Sequence, residues 1–190
     1  FRSAQSFNFG FNVGYVFFIE IAKLRAAREV WANIMKAFGA EEADRSCRIH
    51  SRPAYFYRTI FDAGVNMLRN TTAMFSAVVG GVDTYENEPY DETVRKGDEF
   101  SRRIARNAHI ILQEEFGMLR PIDPAGGSWA LEHLTKEMAE KIWKEFQKIE
   151  SMGGFTKALE EEYPQEQILD ILKQRFKALD FRKDRAVGNN

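Results

Sequence analysis

The sequence predicts an α/β fold in which short strands alternate with helices, followed by a wholly helical half. Three observations carry this. Phe7, Phe9 and Phe11 alternate in SFNFGFN with the period of a strand that has one apolar face. From Val13 to Phe38 the period changes, and Phe17, Ile21, Leu24, Trp31, Met35 and Phe38 recur every three or four residues, the mark of a helix with a buried stripe. Past the acidic stretch that begins at Glu86, every further apolar pattern has helical spacing.

The first strand ends at Gly10 and Gly14, and strand then helix is half of a βα unit. Gly39 suits the position just past a helix end. Lys23, Arg25, Arg28 and Lys36 read as the solvated face of the first helix. After the polar connection Glu41 to Asp44, SCRIH (Ser46 to His50) has strand character, with Cys47 and Ile49 on one side. It runs into His50-Ser51-Arg52-Pro53, where Pro53 stops it. A histidine in that position is either a satisfied structural residue or, in a parallel α/β barrel, a group at the active-site mouth.

Asn66 to Val79 reads as the second helix, with Leu68, Thr72, Phe75 and Val79 on one face and Gly80-Gly81 at its end. Val82 to Tyr90 is a short strand running into a loop with Glu86, Glu88, Asp91 and Glu92. No His or Cys lies among these carboxylates, so an acidic loop with Asp91 as a helix cap explains them better than a metal site. The third helix spans Asp91 to Phe116, with Phe100, Ile104, Ile111 and Glu115 along one side. Its Arg102, Arg103 and Arg106 could hold a phosphate; pairing with carboxylates such as Glu114 and Glu115 is the commoner use.

Gly117 stops that helix, and Asp123-Pro124-Ala125-Gly126-Gly127-Ser128 is a rigid turn. A fourth helix begins near Thr135 and carries Met138, Ile142, Phe146 and Ile149; Gly153-Gly154 closes it. A short helix runs to Glu162. Pro164 restarts the chain, Gln165 to Phe181 is a last helix with Ile168, Leu172 and Leu179, and Arg182 to Asn190 reads as a linker.

Composition narrows the function. A chain of 190 residues with 44% hydrophobic and 13% aromatic residues can bury a sizeable core, and 16 Phe favour packing. Lys plus Arg total 27 against 28 for Asp plus Glu, so no bulk field draws nucleic acid or an anionic membrane. The lone Cys47 cannot form an internal disulfide, which favours a reducing compartment. Val13 to Ala22, the best apolar run, is broken by Glu20 and is too short to span a membrane. Three His and one Cys leave too few ligands for a zinc site. There is no G-x-G-x-x-G, P-loop, H-E-x-x-H or G-x-S-x-G motif. The chain opens on Phe1 and not on Met, and its short parallel strands need neighbours that the sequence does not supply, which points to part of a larger domain.

Four blocks in order carry a resemblance: FFIEIAKLRAAREVW (Phe17 to Trp31), FSRRIARNAHIILQEEFG (Phe100 to Gly117), DPAGGSW (Asp123 to Trp129) and IESMGGFTKALE (Ile149 to Glu160). Together with the Ala186-Val187-Gly188-Asn189-Asn190 tail, the chain resembles the methylmalonyl-CoA mutase family of adenosylcobalamin-dependent acyl-CoA mutases. The resemblance implies the C-terminal part of a (β/α)8 TIM barrel. Residues 1–117 would be its last strands and helices, and residues 118–190 a mostly helical linker region before a cobalamin-binding domain. It implies an isomerase that interconverts methylmalonyl-CoA and succinyl-CoA by radical rearrangement, the cofactor doing the hard step. The Asp-x-His-x-x-Gly motif that ligates cobalt is absent from this chain.

Position by position, the resemblance implies that His50 contacts substrate, that Arg52 stands where catalytic chains have a substrate-side glutamine, and that Glu92 matches a glutamate near the adenosyl ribose. Ser6 replaces a substrate arginine, Tyr55 a glycine that gives the corrin room, and Glu88 an asparagine. A buried charge at Arg52 would be costly unless paired. These departures fall at the mouth while the helix-packing blocks are kept. The expected role is therefore a non-catalytic, cytoplasmic small subunit that forms a heterodimer with a large catalytic subunit, with acyl-CoA and adenosylcobalamin bound by the assembly. The alternatives are part of an active mutase for a different acyl-CoA, and a helical interaction module without an enzyme role.

Overall fold

The structure, a computed structural model, describes residues 6–189. Phe1 to Gln5 of the opening segment and Asn190 of the tail lie outside it. Strands β1 (Asn8–Val13), β2 (Arg48–Pro53) and β3 (Thr84–Tyr85) form a parallel sheet in the order β1-β2-β3. Helix α1 (Phe17–Ala37) connects β1 to β2, and α2 (Ala63–Val79) connects β2 to β3. The βα alternation is as expected, with three strands in place of two strand–helix units. The third strand is only two residues long because the chain turns away at Glu86, whose amide bonds the Ser51 carbonyl at 2.9 Å.

In β1 and β2 alternate residues face opposite sides. Phe9, Phe11 and Val13 pair in register with Ile49, Ser51 and Pro53 and face the helices. Val13, Leu24, Ile49, Ala73 and Ala77 form the core there, with Cys47, Val82 and Tyr85 packed against it. Trp31 of α1 receives the Phe9 ring at 4.9 Å. The opposite face, with Asn8, Gly10, Asn12, Arg48, His50, Arg52 and Thr84, is polar and uncovered among the described residues. Gly14 lets α1 approach the sheet: a Cβ there would stand 2.4 Å from the Tyr57 ring.

The predicted α1 stripe is correct at Ile21, Leu24 and Met35, all buried, while Phe38 is 72% exposed past the helix end. The polar face of α1 is not simply solvated. Arg28 donates to the Cys47 carbonyl at 2.7 Å, to the Gly81 carbonyl and to Asp83 at 2.8 Å, tying together the segments before β2 and β3. Arg25 reaches Asp123 and Glu132, both at 2.9 Å. The Asp123-Pro124-Ala125-Gly126-Gly127-Ser128 turn is thus a docking block. Ala125 and Leu131 are buried against Ile21, and Glu132 also accepts the Gly127 amide at 3.0 Å, where Gly127 takes a φ of 79°.

Three element boundaries differ from expectation. The buried face of α2 is Asn66, Asn70, Ala73, Met74, Ser76 and Ala77, while the expected Leu68 is 67% exposed. Helix α3 (Glu99–Ile110) starts eight residues later than Asp91, and its cap is Asp98, which accepts the Ser101 amide at 2.8 Å. Asp91 and Glu92 instead form local bonds, to Arg95 at 2.8 Å and to the Gly97 amide at 3.1 Å, that compete with helix formation. A π-type turn, Ile111–Glu115, follows α3. Helix α4 (Trp129–Ser151) starts six residues before Thr135; its first residue is exposed, so no apolar stripe marks it.

The contacts divide the chain into two units after Ala139. The second holds the end of α4, α5 (Phe155–Glu160) and α6 (Tyr163–Asp180). Gly153 and Gly154, at φ of 98° and 94°, reverse the chain there. The Tyr163 hydroxyl bonds Glu145, and Lys148 lies 4.2 Å over the Tyr163 ring. No helix among the described residues is long and apolar enough to cross a membrane.

Candidate functional site

Parallel α/β folds place their chemistry at the carboxyl ends of the strands, and here those ends carry three groups of polar residues. On the open face, His50 Nδ1 shares a hydrogen bond with Thr84 Oγ1 at 2.9 Å across β2 and β3. Arg52 Nε donates to Asn12 Oδ1 at 3.1 Å across β1 and β2. The Asn12 carbonyl accepts from Lys23 Nζ at 2.7 Å, and Lys23 pairs with Glu20. Arg52 is exposed, so the cost expected of burying its charge does not arise.

The second group forms the rim. Pro53 ends β2, and a 3-10 turn, Tyr55–Tyr57, follows directly. The Arg58 side chain is 1% exposed and pairs with Glu88, itself 8% exposed, from the segment after β3. The flat face of the same guanidinium lies 3.8 Å from the centre of the Tyr55 ring. Two amides of α2 fasten the same pair of loops. Asn66 accepts the Thr59 amide at 3.0 Å and donates to the Thr59 carbonyl at 2.8 Å and to the Tyr90 carbonyl at 3.2 Å. Asn70 donates to the Glu88 carbonyl at 2.8 Å. Glu92, on the same rim, spends one carboxylate oxygen on the Gly97 amide. Burial, with Glu88 and Glu20 nearby, raises the Tyr85 phenol far above its ordinary value despite the opposing Arg58 charge, so it stays protonated.

Sequence reasoning missed Arg58, Asn66 and Asn70. A faint signal exists: Asn66 and Asn70 lie one turn apart on what should be a core face, and Arg58 follows three aromatic residues.

The third group lies beside the rim, where Tyr85, Glu86, Asn87 and Pro89 face Arg102, Arg106 and His109 of α3 across a cleft of about 280 Å³. Among the described residues Arg102 and Arg106 form no ion pair with Glu114 or Glu115, contrary to expectation, because those carboxylates lie at least two turns further along the helix, beyond the i, i+3 and i, i+4 reach. Arg103 lies over Phe100, 5.4 Å from its ring centre. Burial lowers the His109 pKa, so its imidazole is neutral at pH 7.

At the opposite ends of the strands, Asp83 holds the Ile49 amide at 2.7 Å and Arg28 at 2.8 Å. Burial pushes its carboxyl up, but the amide and the guanidinium outweigh burial and hold it below the usual value. A carboxyl lowered in this way stabilises the fold above its unfolded value, and that contribution is lost as pH falls through the folded one. Denaturation of the wild type and Asp83→Asn should therefore differ most above about pH 4, the unfolded value, and converge in more acid solution. A pH-independent difference would overturn the assignment. Cys47, beside this pair, is pushed up by burial and is a poor nucleophile.

Whether the residues at the mouth fit adenosylcobalamin is answered by the rim. Past the ends of β2 and β3, Tyr55, Arg58 and Glu88 are engaged with one another, so the charges there are already paired. The histidines are engaged elsewhere: His50 with Thr84, His109 half-buried beside the Tyr85 ring, and His133 beside Glu137 at 3.3 Å. This arrangement does not fit the cofactor.

Comparison with known proteins bears on the same residues. The methylmalonyl-CoA mutase family model matches residues 2–190. The chain is 38% identical, over 98% of its length, to the methylmalonyl-CoA mutase small subunit of Porphyromonas gingivalis, of which it covers 31%. In Propionibacterium freudenreichii subsp. shermanii it is similar to both subunits. It is 41% identical to the small subunit over 84% of this chain and 25% of that protein. It is 34% identical to the large subunit over 98% of this chain and 26% of that protein. The chain thus spans between a quarter and a third of the length of these curated relatives.

Proposed function

Because this chain belongs to the methylmalonyl-CoA mutase family, we propose that it is the end of the barrel and the following linker of a mutase-type isomerase, in its structural small subunit. In this reading residues 1–117 complete a (β/α)8 barrel, whose interior is continuous with the polar face of the sheet, and residues 118–190 lead away from it. The partner is a large catalytic subunit, in keeping with a relative that bears the name large subunit, and the assembly is a cytoplasmic heterodimer. Adenosylcobalamin, bound by that assembly, supplies the radical chemistry of the carbon-skeleton rearrangement. In this chain His50 and Arg52 face the acyl-CoA path, and Glu92 holds the rim.

One observation carries the reading: the Tyr55–Arg58–Glu88 stack at the strand ends. A buried, neutralised guanidinium topped by an aromatic ring is a packing arrangement. It leaves no reactive group aimed at a substrate. The second reading, an active isomerase for a different acyl-CoA, is favoured by His50, whose imidazole stands on the open polar face within hydrogen-bond reach of Thr84.

The two readings separate in one assay. The full-length protein, with and without its large-subunit homologue, is given methylmalonyl-CoA and other CoA esters with adenosylcobalamin, and rearrangement is followed by mass spectrometry. Turnover only with the partner, from a one-to-one complex, is expected. Turnover by this protein alone overturns the structural reading and makes Arg52 and Tyr55 specificity residues.

A further inference from the structure

Arg58 meets two loops at once. The edge of its guanidinium is paired with Glu88 on the segment after β3, and its face is stacked on Tyr55 directly after β2. Both acidic and basic partners are almost wholly buried, so neither charge can turn to solvent without moving its loop. The guanidinium nitrogens make no hydrogen bond to any other described group. Among the described residues Glu88 is thus the only carboxylate within ion-pair distance of Arg58.

The neutral bonds around the pair run the same way. The Thr59 and Tyr90 carbonyls belong to the two different loops, and both accept from the single Asn66 amide group. Thr93 adds a hydroxyl bond to the Thr59 carbonyl at 3.1 Å, again from one loop to the other. The α2 amides fix the bases of the loops. Arg58 adds the ion pair between the two loops beyond the strand ends, where a ligand of a parallel α/β fold would lie.

We infer that Arg58 is a pin that locks residues 54–62 and 86–98 into one rigid rim without any ligand. In many binding sites such loops are ordered by the ligand, which supplies the charge that a buried arginine or glutamate needs. Here the chain supplies both charges itself. The rim therefore has nothing to gain from a cofactor. This second consequence rests on the structural-subunit reading; the locking of the two loops does not.

The test is hydrogen–deuterium exchange on the full-length protein. Arg58→Met keeps an unbranched apolar stem and removes the charge and the planar face; Arg58→Lys keeps the charge alone. Arg58→Met should speed exchange at least about tenfold in 54–62 and in 86–98 together, the effect of about 1.4 kcal/mol of lost local stability, and by no less there than in 8–13 and 48–53. Arg58→Lys should loosen 54–62 more than 86–98, because it loses the stacking on Tyr55 and keeps the pair with Glu88. Faster exchange confined to 54–62 in Arg58→Met overturns the pin, and if that variant does not fold, Glu88→Gln must loosen 54–62 for the inference to stand. Adding adenosylcobalamin to the wild type should leave both loops unchanged. Protection of either loop by the cofactor overturns that second consequence, even if the pin itself holds.

Discussion

Glu88→Leu should destabilise the protein by about 3–5 kcal/mol, and Arg58→Met by a similar amount, while Arg58→Met/Glu88→Leu together should recover most of the loss. The asymmetry follows from where the pair lies. With side chains 1% and 8% exposed, each ion has given up its hydration, and its partner is the compensation. Removing one leaves the other buried and unpaired, whereas removing both replaces the pair with apolar volume at little net cost. The Tyr55 ring, 3.8 Å from the guanidinium, loses a favourable contact in every variant without Arg58, so Arg58→Met should be slightly worse than its charge alone predicts. Urea denaturation of the four proteins, compared by midpoint at constant slope, closes the cycle. A coupling near zero, with the two single losses simply adding in the double variant, would mean that water reaches the pair and that the rim is softer than its burial implies.

The parts of this chain that could be read from sequence are those held by apolar burial. Ile21, Leu24 and Met35 of α1 are spaced for a stripe and are buried as one, because hydrophobic periodicity records the dominant driving force of packing. The strand at Ile49 and the parallel βα order are legible for the same reason. The face of α2 is not. Its outward Leu68 and Phe75 satisfy a helical period, yet the inward face includes Asn66 and Asn70, polar residues whose burial depends on the Tyr90 and Glu88 carbonyls far away in sequence. The start of α3 was obscured by side-chain competition, since Asp91 and Asp98 are equally good caps by type and only the bonds of Glu92 to Gly97 and Asp91 to Arg95 select the later one. Of the candidate site, His50 and Arg52 could be picked out because they end a strand. Arg58 could not, because a buried arginine is recognised only through a partner, and Glu88 lies 30 residues away with no periodic link to it.

Asn66→Ala should cost about 2–5 kcal/mol, more than its small loss of volume accounts for. Asn66 is 0% exposed, and its amide serves the Thr59 amide, the Thr59 carbonyl and the Tyr90 carbonyl. The Thr59 carbonyl keeps the Thr93 hydroxyl as a donor, so two backbone groups lose this partner, at about 1–3 kcal/mol each when left unsatisfied. Asn66→Asp separates this account from a cavity effect. The carboxylate can still accept from the Thr59 amide and from Arg69 Nη1, now 3.1 Å from the Asn66 oxygen. It cannot donate, and it sets a negative charge against two carbonyl oxygens. Burial and those carbonyls must raise the pKa of the new carboxyl in the folded state, so its ionisation opposes folding. Below that raised value the carboxyl carries a proton and can again donate to one carbonyl. The deficit of Asn66→Asp relative to the wild type should therefore shrink as pH falls from 7 towards 5, while that of Asn66→Ala stays constant over the same range. Thermal unfolding of the three proteins across that interval decides it. Parallel curves for the Asp and Ala variants would mean that the amide group fills space and does not clamp the two loops.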